Sequence, residues 1–412
     1  MDPFAYLFGL EQFGIKFGLE NISAIVARLG HPERAFRSVH IAGTNGKGSV
    51  TAMVDAALRA AGHRSARFIS PHLIDLTERF VIDGRAVDRR SLADAISNVR
   101  SAIDALTLEK VLAVQPTFFE VTTAVAFELF RLARVDVAVL EVGLGGRLDA
   151  TNVVVPDVTA ITTIAFDHQR YLGSTLREIA IEKAGIIKPR VPVVIGTLPP
   201  EALAAVEEIA RERDAELIRT SGDSIGDAPV GLSGAHQRDN AAVAVGILRT
   251  LNARGIPVSE QAITEGLAHP QWPGRLDLRR LPDGREALLD AAHNPAGAAA
   301  LASYLKAAAL KDPRFSHPPL VFAAMRDKDI EGMFRTLLPV VGPIVLTRAS
   351  TPRSAPPHEL GRAVRHLAPD RIVAIEDSAA AALASAWRIA PTIVVAGSIF
   401  LLGDVLELIR SA

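Results

Sequence analysis

Lys47 and Ser49 stand two residues apart in Val39-His40-Ile41-Ala42-Gly43-Thr44-Asn45-Gly46-Lys47-Gly48-Ser49-Val50-Thr51. An apolar run enters this glycine loop and an alanine-rich helical stretch, Thr51 to Ala61, leaves it. Glycines let the backbone turn tightly and present its N–H groups, and the following helix adds amide donors and the positive end of its dipole. The lysine offers a point charge for the outer phosphates of a nucleotide, and the serine a hydroxyl for magnesium. The spacing departs from the usual phosphate loop, because Gly48 separates the lysine from the hydroxyl residue. An ordinary glycine turn needs neither a lysine nor a serine. The stretch reads as a nucleotide site.

Further groups have the chemistry to join it. Glu141 ends the apolar run Val137-Ala138-Val139-Leu140 and precedes Gly143-Leu144-Gly145-Gly146. It is either the oxygen ligand that a magnesium–phosphate site needs or a capping or salt-bridged glutamate. Arg147, Asp149, Thr151 and Asn152 then read as a structural polar stretch. Asp167-His168 follows another apolar run, where a histidine is a ligand or an ordinary loop residue. Lys183, near the end of a helical segment, reads by itself as a lysine favouring the helix dipole. Asn294-Pro295 reads as a helix N-cap followed by proline in the first turn, with His293 just before it. Phe118 and Phe119, in Thr117-Phe118-Phe119-Glu120, either stack on a ligand ring or pack in the core.

The elements that must position these groups alternate. Leu19 to Leu29 carries apolar residues at helical spacing. Strands are expected at 65–69, 135–140, 158–162 and 191–195, with a helix over 117–134. Pro270, Pro273, Gly274, Pro282, Asp283 and Gly284 crowd a break near 270–285. Beyond it strands are expected at 287–291, 320–324, 344–347, 372–375 and 393–396, with helices over 294–310 and 378–389. Alternation of this kind gives a mostly parallel sheet covered on both faces, here in two α/β domains, 1–277 and 282–412.

Composition excludes several classes. The 45 lysines and arginines balance 46 acidic residues, so no basic field recruits nucleic acid. Without cysteine there are no disulfides, thiolate metal sites or cysteine nucleophile. The first residues lack a signal peptide's basic segment, and no stretch approaches the apolar length of a membrane span. A soluble cytoplasmic protein is expected.

Taken together, GTNGKGS (43–49), Ser-Pro-His-Leu (70–73), Glu-Val-Gly-Leu-Gly-Gly-Arg-Leu-Asp-Ala-Thr-Asn (141–152), Asp-His (167–168) and Glu-Lys-Ala-Gly-Ile (182–186) resemble the folylpolyglutamate synthase/dihydrofolate synthase family, relatives of the Mur ligases. His236-Gln237 with Asn240, Trp272-Pro273-Gly274-Arg275, Asp290-Ala291-Ala292-His293-Asn294-Pro295, Asp327-Lys328-Asp329 and Gly397-Ser398 extend the resemblance, in order, over the chain. Where many relatives carry a glycine, this sequence has Ala291.

The resemblance implies an ATP-binding phosphate-loop domain like the central Mur ligase domain, followed by a smaller Rossmann-like domain. It implies an ATP-dependent ligase that adds L-glutamate to a folate or dihydropteroate carboxylate through an acyl phosphate, both substrates being used. Thr44, Asn45, Gly46, Lys47, Gly48 and Ser49 would hold ATP, with Asn240, Arg275 and Asp290 closing over it. Ser49 and Glu141 would bind one magnesium. His168 and a carbamylated Lys183 would bind a second. Ser70, His293 and Ser398 would face the folate tail and the glutamate. A monomer is expected.

Three rivals remain at this stage. A Mur ligase for nucleotide-sugar peptides carries a domain before its phosphate loop, where only 42 residues precede Gly43 here. A non-catalytic nucleotide-binding protein leaves Glu141, His168 and Lys183 without a reason to accompany the loop. A dinucleotide-dependent dehydrogenase needs no lysine or serine there. A monofunctional folylpolyglutamate synthase is the nearest alternative within the family.

Overall fold

A computed structural model describes residues 2–14 and 16–410, and the chain falls into two compact units. The first runs to Ile164 and includes Leu172–Gly231 and Arg238–Pro270. The second comprises Ala165–Tyr171, Leu232–Gln237 and the chain from Gln271 onward.

The first unit is built on strands β1 (Arg37–Ala42), β2 (Ser65–Phe68), β3 (Phe80–Ile82), β4 (Arg85–Ala86), β5 (Val137–Glu141), β6 (Val158–Ile161), β7 (Val193–Ile195) and β8 (Leu217–Arg219). Among the described residues they form one sheet in the order β4-β3-β2-β5-β1-β6-β7-β8. It is parallel from β2 to β8, and β3 and β4 continue it as an antiparallel hairpin. β1 and β5 lie side by side at its centre, and their nearly unbroken apolar runs are what a strand covered on both faces requires. Ile41 pairs with Glu141 and Ala42 with Ile161, so the glycine loop and the acid leave neighbouring strands at the same end.

The helices follow their local signals. Phe118–Leu132 begins at a capping box in which Thr117 and Glu120 satisfy each other's backbone amides, and it buries Phe127 and Phe130. Leu176–Ala184 begins at a second box formed by Thr175 and Glu178. The helix after the glycine loop spans Lys47–Ala60 and so starts four residues before the expected Thr51. Gly48 lowers its intrinsic propensity, but the left-handed Gly46 ends the turn directly before it, and tertiary packing overrides the weak start.

The second unit carries β9 (Asp277–Arg280), β10 (Glu286–Leu289), β11 (Leu320–Phe322), β12 (Ile344–Leu346), β13 (Val373–Ile375) and β14 (Thr392–Ala396), in the order β13-β12-β11-β14-β10-β9. All are parallel except β9, which runs against β10. β9 lies inside the stretch 270–285 that was expected to be a break. Its sequence, Asp-Leu-Arg-Arg, gives no strand signal because an edge strand carries its charges toward water. The parallel strands present their carboxyl ends together, which is where ligands meet such sheets. The segments leaving β10, β11 and β14 there contain Asp290 to Asn294, Asp327 with Lys328, and Ser398.

The architecture is the expected one: two α/β units with parallel-rich sheets. Among the described residues, no helix is long and apolar enough to cross a membrane.

Candidate active site

The loop after β1 is held by backbone conformation and by two threonines. Gly43 and Gly46 have φ of 153° and 87°, values that side chains avoid. A Cβ on Gly43 would strike the Thr162 hydroxyl, and one on Gly46 the side-chain amide of Asn240. Thr163 accepts the Asn45 amide at 3.0 Å, and the Thr162 and Thr163 hydroxyls both donate to the Asn45 carbonyl, at 2.6 and 3.1 Å. Thr44 and Ser49 are buried in this frame, with Ser49 on the first turn of the helix.

Lys47 folds back over the loop, its Nζ donating to the carbonyls of Gly43 at 3.1 Å and Thr44 at 3.3 Å. Lys183, 4% exposed near the end of the helix Leu176–Ala184, donates to the same Gly43 oxygen at 3.0 Å. Two lysines 136 positions apart in sequence thus meet at one carbonyl. Glu141 is 5% exposed, and its Oε2 accepts the Ser70 amide at 3.4 Å. Thr44 to Ser49, Ser70, Glu141, Lys183 and Asn240 all belong to the first unit.

This set suits a magnesium ion bound with nucleotide phosphates. Magnesium keeps several waters and takes only one or two protein carboxylates when phosphates supply the rest. Accordingly no group of three or more His, Asp and Glu side chains that could hold a metal occurs among the described residues. The hard oxygens of Glu141 and Ser49 meet that lesser requirement.

Beside Glu141 lies an arginine that the sequence reading did not single out. Arg79, 7% exposed, donates from Nε to Nδ1 of His72 at 2.9 Å and lies 5.1 Å over the Phe118 ring. Burial lowers its pKa to about 10, against the opposing pull of Glu11 and Glu141. Burial and the Arg79 charge push His72 down to about 4, so its ring is neutral and accepts from the arginine. The available signal was an arginine entering an apolar strand, Arg79-Phe80-Val81-Ile82, which only makes sense if its charge is answered inside. Phe119 packs on Phe68 at 5.8 Å and fills the space over Gly143. Its part is packing, whereas Phe118 has both Arg79 and Phe8, the latter 6.2 Å away, as neighbours.

The polar stretch after Glu141 is structural in the way its residue types suggested. Asp149 accepts the Gly143 and Leu144 amides at 3.0 and 2.9 Å, and Asn152 donates to the carbonyls of Arg147 and Gly185 at 2.9 and 3.2 Å. Arg147 pairs with Glu182 at 2.7 Å.

The second unit gathers a different cluster around Asp167. Lys328 Nζ donates to Asp167 Oδ1 at 2.6 Å, and Asn294 Nδ2 to Oδ2 at 3.0 Å. His293 Nε2 stands 3.6 Å from Oδ2. Burial opposes ionisation of Asp167, but Lys328, His168 and His293 outweigh it and hold its pKa well below the usual carboxylate range. His168, with φ of 51°, receives Lys328 Nζ at 3.2 Å on Nε2. His293 donates from Nδ1 to the Ala291 carbonyl at 2.8 Å, and burial with the Lys328 charge lowers its pKa to about 4 despite Asp167. Its ring is therefore neutral near pH 7. Asn294 caps the helix Pro295–Ala309 by accepting the Gly297 amide at 2.8 Å, as its sequence position implied.

Asp290, 8% exposed, accepts the amides of Leu276 and Ala292, both at 2.9 Å. Burial raises its pKa and the Arg275 charge opposes that rise. Ser398 follows Gly397, whose φ is 98°, and its hydroxyl accepts the Phe400 amide at 3.2 Å. His168, Arg275, Asp290, His293 and Ser398 all belong to the second unit.

Residues 41–198 match the Mur ligase middle domain and residues 274–399 the Mur ligase glutamate ligase domain. The chain is 35% identical over 380 residues to the dihydrofolate synthase/folylpolyglutamate synthase of Bacillus subtilis, covering 86% of each protein. It is 34% identical over 420 residues to the Escherichia coli protein of the same name, covering 98% of this chain and 94% of that one. Among solved structures, Mycobacterium tuberculosis folylpolyglutamate synthase complexed with ADP and AMPPCP superposes with a TM-score of 0.88 at 32% identity, over 99% of both chains. The Escherichia coli enzyme in complex with DHPP and ADP gives 0.87 at 32% identity, over 100% of this chain and 98% of that one. A Yersinia pestis bifunctional folylpolyglutamate synthase/dihydrofolate synthase complexed with AMPPNP and a manganese ion gives 0.84 at 29% identity, over 99% of this chain and 97% of that one. The chain belongs to the dihydrofolate synthase/folylpolyglutamate synthase family of Mur ligases.

Proposed function

We propose that the protein joins L-glutamate to the carboxylate of a folate or of dihydropteroate, using ATP and passing through an acyl phosphate, and that it accepts both acceptors. The observation that carries this reading is the meeting of Lys47 and Lys183 at the Gly43 carbonyl, with Glu141 leaving the neighbouring strand. A carboxylate is a poor electrophile. Its oxygen attacks the γ-phosphorus, ADP leaves, and the acyl carbon becomes reactive. The glutamate amine then attacks that carbon, loses a proton, and expels phosphate. Phosphoryl transfer asks the protein mainly for positioning and cancellation of charge.

In this reading the amides of Thr44 to Ser49 cradle the β- and γ-phosphates, and Lys47 turns from the loop carbonyls to the phosphate oxygens. Ser49 and Glu141 are the ligands for one divalent cation, and His168 with a carbamylated Lys183 those for a second. Bound there, the cations would neutralise phosphate charge. Asn240, Arg275 and Asp290 contact the nucleotide, with residues 1–277 as the ATP-binding domain and 282–412 as its partner. Ser70, His293 and Ser398 serve the acceptor tail and the glutamate. The neutral His293 ring suits a residue that must sit beside an attacking amine without protonating it. The family names of the relatives and the ADP, AMPPCP and manganese complexes of the structural neighbours support these assignments.

The test is ADP release by purified protein with ATP, magnesium and glutamate, given dihydropteroate or tetrahydrofolate in separate reactions. Glutamate-dependent turnover with both acceptors is expected. Turnover with tetrahydrofolate alone would make the enzyme monofunctional, and none with either acceptor would remove the reading.

A further inference from the structure

His40 sits in the middle of β1, wholly buried, and no step of the proposed reaction uses it. Its Nε2 lies 2.8 Å from the Thr151 hydroxyl, which is also fully buried. That hydroxyl makes a short hydrogen bond to Asp149 Oδ1. Asp149 in turn accepts the Thr151 amide on Oδ1 at 3.0 Å and the Gly143 and Leu144 amides on Oδ2. Among the described residues, Nδ1 of His40 has no hydrogen-bond partner.

Burial raises the Asp149 pKa, and the hydrogen bonds from Thr151, Leu144 and Gly143 oppose that rise by favouring the carboxylate. As a carboxylate Asp149 only accepts. The single Thr151 hydrogen goes to it. Thr151 must then accept from His40, which puts the ring proton on Nε2 and leaves Nδ1 bare. Burial and the nearby Lys188 charge push the His40 pKa to about 3, consistent with a neutral ring throughout the working range. Donation thus converges on Asp149, from His40 through Thr151 on one side and from the amides of the turn that follows Glu141 on the other.

We infer that His40, Thr151 and Asp149 form a buried hydrogen-bond relay, converging on the Asp149 carboxylate, that positions the Gly143–Leu144 turn, and through it the Glu141 carboxylate, for the cation bound with nucleotide. Gly143 is two residues from Glu141, and Val142 between them donates its amide to Ile41 of β1 at 3.0 Å. With Val142 tied to β1 and Gly143 and Leu144 tied to Asp149, the strand end has no freedom to swing the acid away. His40 is a positioning residue: it touches neither nucleotide nor acceptor. The inference rests on the proposed role of Glu141 as a cation ligand, but not on which acceptor is ligated.

Binding of Mn2+ together with AMPPNP, followed by electron paramagnetic resonance, reads the site without turnover. Thr151→Val and His40→Leu should weaken Mn2+ binding about tenfold while leaving AMPPNP binding without metal unchanged. Thr151→Ser, which keeps the hydroxyl, and His40→Gln, whose amide nitrogen can stand where Nε2 stands, should restore it to within about twofold of wild type. Equal Mn2+ affinity for the valine and serine variants, or a loss of metal-free AMPPNP binding in step, would reduce the relay to ordinary packing. Hydrogen exchange of the wild-type protein covers the case in which the apolar variants do not fold. The Gly143 and Leu144 amides should be among the protected ones, and rapid exchange there would overturn the clamp. Normal relay behaviour with no glutamate-dependent ADP release would instead count against the ligase reading alone.

Discussion

Lys47 and Lys183 donate to a single acceptor, the carbonyl oxygen of Gly43, at 3.1 and 3.0 Å. Two ammonium groups on one oxygen repel each other, and with Lys183 only 4% exposed water screens that repulsion poorly. Carbamylation of Lys183, as proposed above, would relieve the conflict. The nitrogen would keep one hydrogen, so its bond to Gly43 would survive, while the added carboxylate would turn repulsion into attraction and provide oxygen ligands for a cation. Protein equilibrated with 13C-bicarbonate should show one carbamate carbon resonance that disappears in Lys183→Ala. A spectrum identical in both proteins would leave Lys183 an amine. Activity of Lys183→Ala should be lost, with partial rescue by acetate.

Lys47→Ala should leave the fold intact, because the hydrogen bonds it removes go to carbonyls of the side chain's own loop. Turnover should fall by about 100-fold or more, as for removal of one fixed group that stabilises developing charge. Circular dichroism and steady-state ADP release measured together check it. Near wild-type turnover would take Lys47 out of the mechanism.

Much of this site is readable from sequence because its parts are local. A glycine loop between a strand and a helix, an acid at a strand end, and an asparagine–proline helix start each declare themselves within a few residues. The sheets are readable for the same reason, since β1, β5, β11 and β14 are apolar runs long enough to stand out. What cannot be read are partnerships across the chain. Nothing near residue 328 announces that Lys328 answers Asp167 across 161 positions, and nothing near Arg79 announces His72 and Phe118 as its neighbours. The polar edge strand β9 is hidden because its charges pair with one another and with Glu286, which leaves no apolar alternation to read.

His40, His72 and His293 all have pKa values lowered by burial, to about 3, 4 and 4. Each is neutral when folded and takes up a proton near pH 6.5 when unfolded. The unfolded state therefore binds more protons below that pH, so stability is full above about 6.5 and falls as the pH drops toward 4. Urea unfolding at pH 7.5, 6, 5 and 4.5 should show this decline. His72→Gln should make it shallower by removing one of the titrating groups. A stability that is flat from pH 7.5 to 4.5 would mean that these rings are charged in the folded protein.

The Asp167–Lys328 pair should behave as a buried ion pair whose halves are safe only together. Their side chains are 8% and 6% exposed and 2.6 Å apart. Lys328→Met strands a carboxylate whose ionised form Lys328 does much to favour, and losing one partner of such a pair costs about 3–5 kcal/mol. Asp167→Asn with Lys328→Met removes both charges and should recover most of that loss, which a double-mutant cycle in urea measures. Function should not recover with it. Asp167 also accepts from Asn294 and faces His293, so the neutral pair would leave both less firmly placed. The double variant should therefore be stable, with a KM for glutamate raised about tenfold and a KM for ATP near the wild-type value. If ATP and glutamate were affected alike, the pair would be holding the fold rather than placing the residues that meet glutamate.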